Sequence, residues 1–337
     1  MSSIFTGLQA WTAKDFEGRD DWVTRFTEAE LQEIDAIAQG KEVTFPDLLN
    51  MGKEDFKLPL IDKKFVDIRE QLEGGRGFAV LRGVPVQKYS LNQARKIFWA
   101  LASHLGTPQP QDKAGSLLHD VTNTGRKVAT TGEVRGFQTD DELSFHNDGG
   151  DAFMLLCLRT AKEGGISKLV SVATIFNEIL RTRPDLVEVL QQPFHFDTRE
   201  QHPLGLKIQS IPIMNVHEGK VSALYKRRYI ETAQRFEEVP RLTEQQIEAM
   251  NLFEKICHDP EFQLSFSMQA GDIQMGNNYG ILHSRTKYLD HDDPGMKRHL
   301  LRTWLTLENG RPLPKVFENA REFRFSYLAR LEEGHAA

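Results

Sequence analysis

The stretch Ser-Phe-His-Asn-Asp-Gly-Gly-Asp, residues 144–151, sets His146 and Asp148 two apart, just after a strand-like run. Side chains two apart on a strand share a face, so an imidazole nitrogen and a carboxylate oxygen can converge on one ion. The triplet alone is too common to mean much, and it needs a third ligand from elsewhere. The best one is His283, at the end of an apolar strand-like run in Asn-Asn-Tyr-Gly-Ile-Leu-His-Ser-Arg-Thr-Lys-Tyr. Two histidines and one carboxylate on one octahedral face, with positions left open, are the donor set of non-haem Fe(II) oxygenases. Downstream, Arg298 and Arg302 are four apart in Lys-Arg-His-Leu-Leu-Arg-Thr-Trp-Leu. That even spacing turns both toward one side of a strand. Two guanidinium groups in a protein interior are costly without anionic partners. The partners are either internal carboxylates or the carboxylates of a bound molecule, which the guanidinium fork matches.

Other residues could edge such a site. Gln138, Thr139 and Ser144 precede the metal triplet. Tyr225, Arg227 and Arg228 in Ala-Leu-Tyr-Lys-Arg-Arg-Tyr-Ile-Glu could reach it from a later segment, although a charge run is ordinarily a solvated face. Gly149 and Gly150 imply that something approaches the backbone closely beside the ion, or that the loop must move. Asn277 and Asn278 are expected to shape the strand before His283 or to orient that histidine. Most of the eleven histidines are ordinary. His291 and His335 lie in charged segments, and His104, His195 and His258 follow helical or apolar stretches, so packing or surface roles suffice.

The elements that must position these groups are legible from periodicity and caps. Residues 19–39 read as a helix capped by Thr27, 61–73 and 90–105 as two more, the latter behind Ser90, and 243–258 as a fourth behind Thr243. Strand signals fall at 75–86, 152–158, 168–172, 262–269, 271–278 and 299–307, with a turn at 163–165. Residues 173–181 turn helical and Pro184 closes the run. Short strands with helices early and in the middle suggest an antiparallel β sandwich or barrel wrapped by helices. No linker divides residues 1–337, so a single domain is expected, with N-terminal helices over about 1–73 and a mostly helical insert over about 173–258.

Taken in order, His146-x-Asp148, Gly-Gly-Ile-Ser (164–167), His283, Arg298 and Arg302 resemble the taurine dioxygenase family. That family is a branch of the Fe(II)/2-oxoglutarate-dependent oxygenases that also holds clavaminate synthase-like enzymes. The similarity runs over roughly 75 to 310, and residues 1 to about 60 and the last 25 add little. The resemblance implies a mainly β fold with flanking helices: a double-stranded β-helix, a jelly-roll, cupin-like barrel with iron at its open end. It implies His146, Asp148 and His283 as ligands of Fe(II) and Arg298 as the partner of the distal carboxylate of 2-oxoglutarate. Ser167, where the family often has threonine, would donate to that same carboxylate. Arg302 would meet either the cosubstrate or an acidic group of the prime substrate. The spacing from His283 to Arg298 is longer than in taurine dioxygenase itself, which leaves open which arginine takes which carboxylate.

The implied activity is a dioxygenase that uses O₂ and 2-oxoglutarate to oxidise an unactivated C–H bond of a small, carboxylate-bearing molecule, releasing succinate and CO₂. Hydroxylation is the expected outcome; desaturation or ring closure would begin alike. Asp148 argues against halogenation, because iron halogenases of this type put halide in the carboxylate's place. Gln138, Tyr225, Arg228 and Arg302 are the candidate substrate contacts. Two alternatives are a non-catalytic jelly-roll binding protein and a zinc hydrolase or isomerase on the same ligands. Neither accounts for two arginines on one face.

Bulk properties set the outer bounds. The 337 residues are 39% hydrophobic, enough for a sizeable core. A net charge of -6 supplies no basic excess for phosphate backbones, so nucleic acid is not an expected partner. No apolar window is long enough for a membrane span, and the N-terminus does not read as a secretory signal. The two cysteines, Cys157 and Cys257, are far apart and form neither a zinc knuckle nor a disulfide framework. A cytoplasmic protein that binds a small molecule is expected, and the sequence leaves room for a homo-oligomer.

Overall fold

The computed structural model describes residues 4–125, 136–332 and 334. Strand β1 (Val23–Arg25) precedes helices α1 (Glu28–Gln39), α2 (Phe45–Leu48) and α3 (Pro59–Glu73). Helix α1 begins behind Thr27, whose hydroxyl accepts from the Glu30 amide while the Glu30 carboxylate accepts from the Thr27 amide. Such a reciprocal cap is worth ~1 kcal/mol. Residues 23–25, expected to be helical, instead pair in parallel with β2 (Phe78–Arg82), so the cap marks the true start. Helix α4 (Leu91–Leu105) starts at Ser90 as expected, and β3 (Thr107–Gln109) and β4 (His119–Val121) follow.

Strands β5 (Leu143–His146) and β6 (Ala152–Arg159) bracket the metal triplet. The short β7 (Glu163–Gly164) turns into β8 (Ser167–Ser171). Gly164 has φ +74, and a Cβ there would lie 2.3 Å from the Lys287 carbonyl, so the turn admits only glycine. Pro184 ends α5 (Val172–Thr182) and opens α6 (Pro184–Leu190) at its first turn. Four strands follow, β9 (Pro193–Asp197), β10 (Ile208–Pro212), β11 (Met214–His217) and β12 (Lys220–Ala223), as two antiparallel pairs. Helices α7 (Arg227–Ala233) and α8 (Glu244–His258) complete the stretch. The mostly helical segment therefore also holds two β-ribbons, each too short to stand out as a strand pattern.

The last third supplies β13 (Gln263–Phe266), β14 (Ile273–Asn277), β15 (Ile281–Arg285), β16 (Tyr288–Leu289), β17 (His299–Thr306) and α9 (Arg324–Glu332). A seven-stranded sheet runs β1-β2-β14-β6-β17-β3, with β4 also paired to β17. A four-stranded sheet runs β13-β8-β15-β5. The two face each other as a jelly-roll core with flanking helices. Among the described residues no ladder joins them into the closed barrel that was expected. The larger sheet ends in β1 on one side and in β3 and β4, both paired to β17, on the other, each of three residues.

Alternation along the strands divides the interior. Met154, Leu156, Ile273, Met275, Leu301 and Leu305 point outward from the large sheet into a core shared with α1, α3 and α4. Val170 and Leu282 point outward from the small sheet, against the helices of 172–258. The residues between these positions face the space between the sheets. One part of that space is filled by Trp11, Phe16, Phe78, Leu169, Leu264 and Ile281. A smaller apolar group, Val121, Cys157, Met268 and Leu300, occupies another part, and polar side chains take the rest.

Candidate metal centre

Strand β15 lies between β8 and β5, and His283 is in register with His146 across the β5 ladder. Directly opposed antiparallel residues have Cβ atoms ~5 Å apart. The two imidazoles meet with centroids 4.3 Å apart and planes at 49°. Asp148 joins them, and one ligand atom from each of the three lies within 4.8 Å of the others. Asp148 does not sit on the strand. Strand β5 ends at His146, so the carboxylate is delivered by the loop that follows rather than by the pleat.

That loop is held by two fully buried asparagines. Asn147 donates to the carbonyls of Asn278 (2.7 Å) and Ile281 (3.1 Å) and accepts from the Tyr225 amide (2.8 Å). Asn278 accepts from the Asp148 amide at 3.3 Å and donates to the Gly149 carbonyl at 2.5 Å. Asn278 therefore orients the aspartate loop, not His283. The two glycines have an equally concrete reason. A Cβ on Gly149 would meet the Trp304 ring at 2.5 Å, and one on Gly150 would meet the Leu305 carbonyl at 2.8 Å. What approaches the backbone is strand β17.

The electrostatics favour a cation. Burial would raise the Asp148 carboxyl, but neighbouring positive charge, foremost the Arg302 guanidinium, outweighs it, so the group is held well below the carboxylate range. Burial lowers His283 to about 3, with the neighbouring His146 adding to the effect. His146 is lowered as well, chiefly by desolvation. Both rings are thus neutral at pH 7, as metal binding requires. The His146 Nδ1 lies 2.8 Å from the Ser144 carbonyl, which fits a protonated Nδ1 and leaves Nε2 as the donor. His283 Nε2 is 3.8 Å from Asp148 Oδ2, and the Phe153 ring packs 4.3 Å away. Two neutral imidazoles and one ionised carboxylate fit Fe(II).

A cavity of about 840 Å³ opens over this group. Ser167, Arg298 and Arg302 line it, all nearly buried. Arg302 donates from Nη1 to both Asp148 oxygens at 3.2 Å and from Nε to Gln111 Oε1 at 2.8 Å. Arg298 lies with Cζ 5.1 Å from the Tyr288 ring centroid, and its Nη1 has no partner. An orphaned buried guanidinium fits an anionic cosubstrate. Arg228, Thr139 and Ser144 also line the cavity. Arg227 does too, but its guanidinium is taken by Glu231 and Glu254.

Two expected contacts lie elsewhere. Tyr225 is fully buried, its ring 4.4 Å from that of Phe253 in the core behind the small sheet; only its backbone, bonded to Asn147, serves the site. Gln138 is not part of the lining, and its carbonyl accepts from Thr124. In exchange the fold brings in groups that sequence reasoning missed. Lys226 and Arg321 both pair with the buried Glu322, at 2.6 and 2.9 Å. Arg302 and Arg321 both lie over the Trp304 ring. Arg285, two residues past His283, faces the same cavity, a signal the strand period did contain.

Comparison with known proteins agrees with this geometry. Residues 41–304 match the model of the family described as "Taurine catabolism dioxygenase TauD, TfdA family". The chain is 30% identical over 322 residues to FR-33289 synthase of Streptomyces rubellomurinus, covering 94% of each. Among solved structures, it is similar to asparagine oxygenase in complex with Fe(II), 2S,3S-3-hydroxyasparagine and succinate. The TM-score is 0.63 at 19% identity, over 85% of this chain and 93% of that one. The non-heme iron oxygenase OrfP in complex with Fe and alpha-ketoglutaric acid gives a TM-score of 0.58 at 15% identity, over 84% and 94%.

Proposed function

Since this chain belongs to the TauD, TfdA family of dioxygenases and is a 2-oxoglutarate-dependent non-haem iron oxygenase, we propose that it hydroxylates an unactivated C–H bond of a small, carboxylate-bearing molecule. The observation that carries this reading is the placement of the His146, Asp148 and His283 donors at the mouth of one cavity with buried arginines around it. His146 Nε2, Asp148 and His283 Nε2 would hold the iron. Arg298 and Ser167 would take the distal carboxylate of 2-oxoglutarate. With O₂, the bound metal and cosubstrate supply the oxidation, in which 2-oxoglutarate loses CO₂ to become succinate and the second oxygen atom goes to the substrate.

The chain's own work is positioning and exclusion of water. Arg302 is shared between Asp148 and the substrate side of the cavity. Arg302 donates to both Asp148 oxygens, and with that carboxylate engaged by a metal, part of the guanidinium fork would be available to an incoming carboxylate. Lys226 and Arg321 stand beside it, and their common partner Glu322 keeps them in place. Trp304, Leu155, Leu300 and Met268 give the cavity apolar walls. These walls keep bulk water off the reacting bond and strengthen every charge interaction inside. The solved neighbours whose complexes hold 3-hydroxyasparagine or (3S)-hydroxy-L-Arg support an amino acid or similar small acid as substrate. No helix among the described residues is long and apolar enough to cross a membrane, and we place the reaction in the cytoplasm.

The test has two parts. Anaerobic addition of Fe(II) and 2-oxoglutarate should produce the visible absorption band of the chelated complex. A panel of small acids under O₂ should then identify one whose addition drives succinate release and which gains one oxygen atom by mass. A folded protein that binds neither iron nor 2-oxoglutarate refutes the assignment. A product lacking two hydrogens would move it to desaturation or ring closure.

A further inference from the structure

The deep end of the cavity holds one more cation than the proposed chemistry has used. Arg285 closes β15 on the same side of the strand as His283, and it stands in register with Ser167 on β8. Both it and Arg298 lie against the Tyr288 ring. The two guanidinium carbons lie 4.6 and 5.1 Å from that ring's centroid. Both arginines are nearly buried, at 5% and 7% exposure. Arg285 spends one nitrogen, Nη2, on the backbone carbonyls of Thr139 and Asp141. Its Nε and Nη1 have no partner, nor do Arg298 Nη1 and the Tyr288 hydroxyl. Neither guanidinium forms an ion pair with a carboxylate among the described residues.

Such an arrangement is unfavourable as it stands. Like charges this close repel, and buried donors left unpaired lose their hydration without return. A tether to two carbonyls does not need a guanidinium; a lysine ammonium could serve both. What the arrangement suits is an anion with two oxygens, reached by N–H groups from two sides. Ser167 beside Arg285 places this pair at the end of the cavity assigned to the distal carboxylate of the cosubstrate.

We propose that Arg285 is a second cosubstrate-binding arginine, which together with Arg298 clamps the distal carboxylate of 2-oxoglutarate beside Tyr288. The inference rests on the oxygenase reading given above. It also explains a difference between the two arginines. Arg298 contributes from the β17 side, whereas Arg285 links the carboxylate to the Thr139–Asp141 segment that walls the cavity. The consequence is strict selection for a 2-oxo acid with a carboxylate at its far end.

The experiment is equilibrium binding without O₂ to the Mn(II)-loaded protein. It uses radiolabelled 2-oxoglutarate, with 2-oxopentanoate as competitor; the competitor has the same carbon chain but no distal carboxylate. Arg285→Met is expected to weaken 2-oxoglutarate ~10–100-fold, the loss of one charge-assisted contact. It should leave 2-oxopentanoate within about twofold, since that ligand never meets the clamp. Arg285→Lys keeps the charge and the tether, and it is expected to lose ~3–10-fold on 2-oxoglutarate alone. This variant decides the matter if the methionine protein fails to hold Mn(II). Equal weakening of both ligands, or of neither, overturns the inference. A wild-type protein that does not bind 2-oxoglutarate overturns the oxygenase reading and this clamp with it; wild-type binding with an unchanged ligand ratio in the variants overturns the clamp alone.

Discussion

Arg298 and Arg302 approach one cavity from the same strand, yet they meet opposite surroundings. Arg302 lies against Asp148 and Gln111, close to Lys226, Arg321 and the fully buried Glu322. Arg298 and its neighbour Arg285 share an aromatic ring and, among the described residues, form no ion pair with a carboxylate. The metal end of the cavity carries carboxylates in direct ion pairs with its cations; at the deep end no such pair forms among the described residues, and Asp140, Asp141 and Asp290 act on the arginine side chains only from a distance. A buried charge balanced from within is structural until something displaces its partner. One that is unbalanced needs a ligand from solution. The contrast supports the proposal that the deep end takes an anion from solution, while the metal end would exchange partners as metal and substrate arrive.

The most severe way to disturb this contrast is at the metal end. Asp148→Ala removes a proposed iron ligand and leaves Arg302 without its carboxylate. Iron binding should be lost and turnover should fall on the order of 10³-fold or more. Metal titration followed by succinate assay checks this. Retained iron affinity would show that the carboxylate serves Arg302 rather than the metal.

Next in size is the deep end. Arg298→Ala should weaken 2-oxoglutarate by ~10²–10³-fold, because one of the two guanidinium groups proposed to face its buried carboxylate is lost. Iron binding should persist, because no ligand to the metal is touched. An unchanged KM for 2-oxoglutarate would sink the assignment. The companion change, Arg302→Gln, should show the reverse pattern. The KM of the prime substrate should rise ~10–100-fold while that of 2-oxoglutarate moves less than about threefold. If both variants affect the same ligand, the two ends of the cavity are not distinct sites.

How much of this was legible in the sequence depends on distance along the chain. His283, Arg298 and Arg302 could be proposed because a strand repeats every two residues and its end is marked by turn residues. Thr27, Ser90 and Thr243 fixed helix starts because capping is local chemistry. Tyr225 misled because a tyrosine inside a basic run reads as a pocket residue, whereas the fold turns its ring into an apolar core and lets only its backbone reach Asn147. Arg321 and Glu322 lie in the C-terminal segment that adds little to any motif. They reach the cavity only because that segment returns across it to meet Lys226, nearly a hundred residues earlier. No local pattern encodes such a return. The open edges of the two sheets were likewise illegible, since they depend on how short strands end in space.

The last expected effect concerns the internal anion itself, and it falls on stability rather than on binding or turnover. Burial alone would raise the Glu322 carboxyl, but Lys226 and Arg321 hold it down at about 2, against 4.5 for an ordinary glutamate. A carboxylate depressed in the folded state stabilises the fold fully above its unfolded value. The contribution disappears as pH falls toward the folded value, because the unfolded chain takes up the proton first. The window is therefore about pH 4.5 down to about 2, and the amount at stake is roughly 3 kcal/mol. Glu322→Gln removes the titration while keeping the shape. Urea unfolding of the metal-free protein from about pH 6 to about pH 3 should show the variant less stable at the upper end. The gap should narrow as the solution is acidified, since only the wild type has a proton to gain. Parallel curves would mean that Glu322 does not balance the cations beside Arg302. The metal end would then carry the same unmet charge as the deep end, and the distinction between the two would fail at its source.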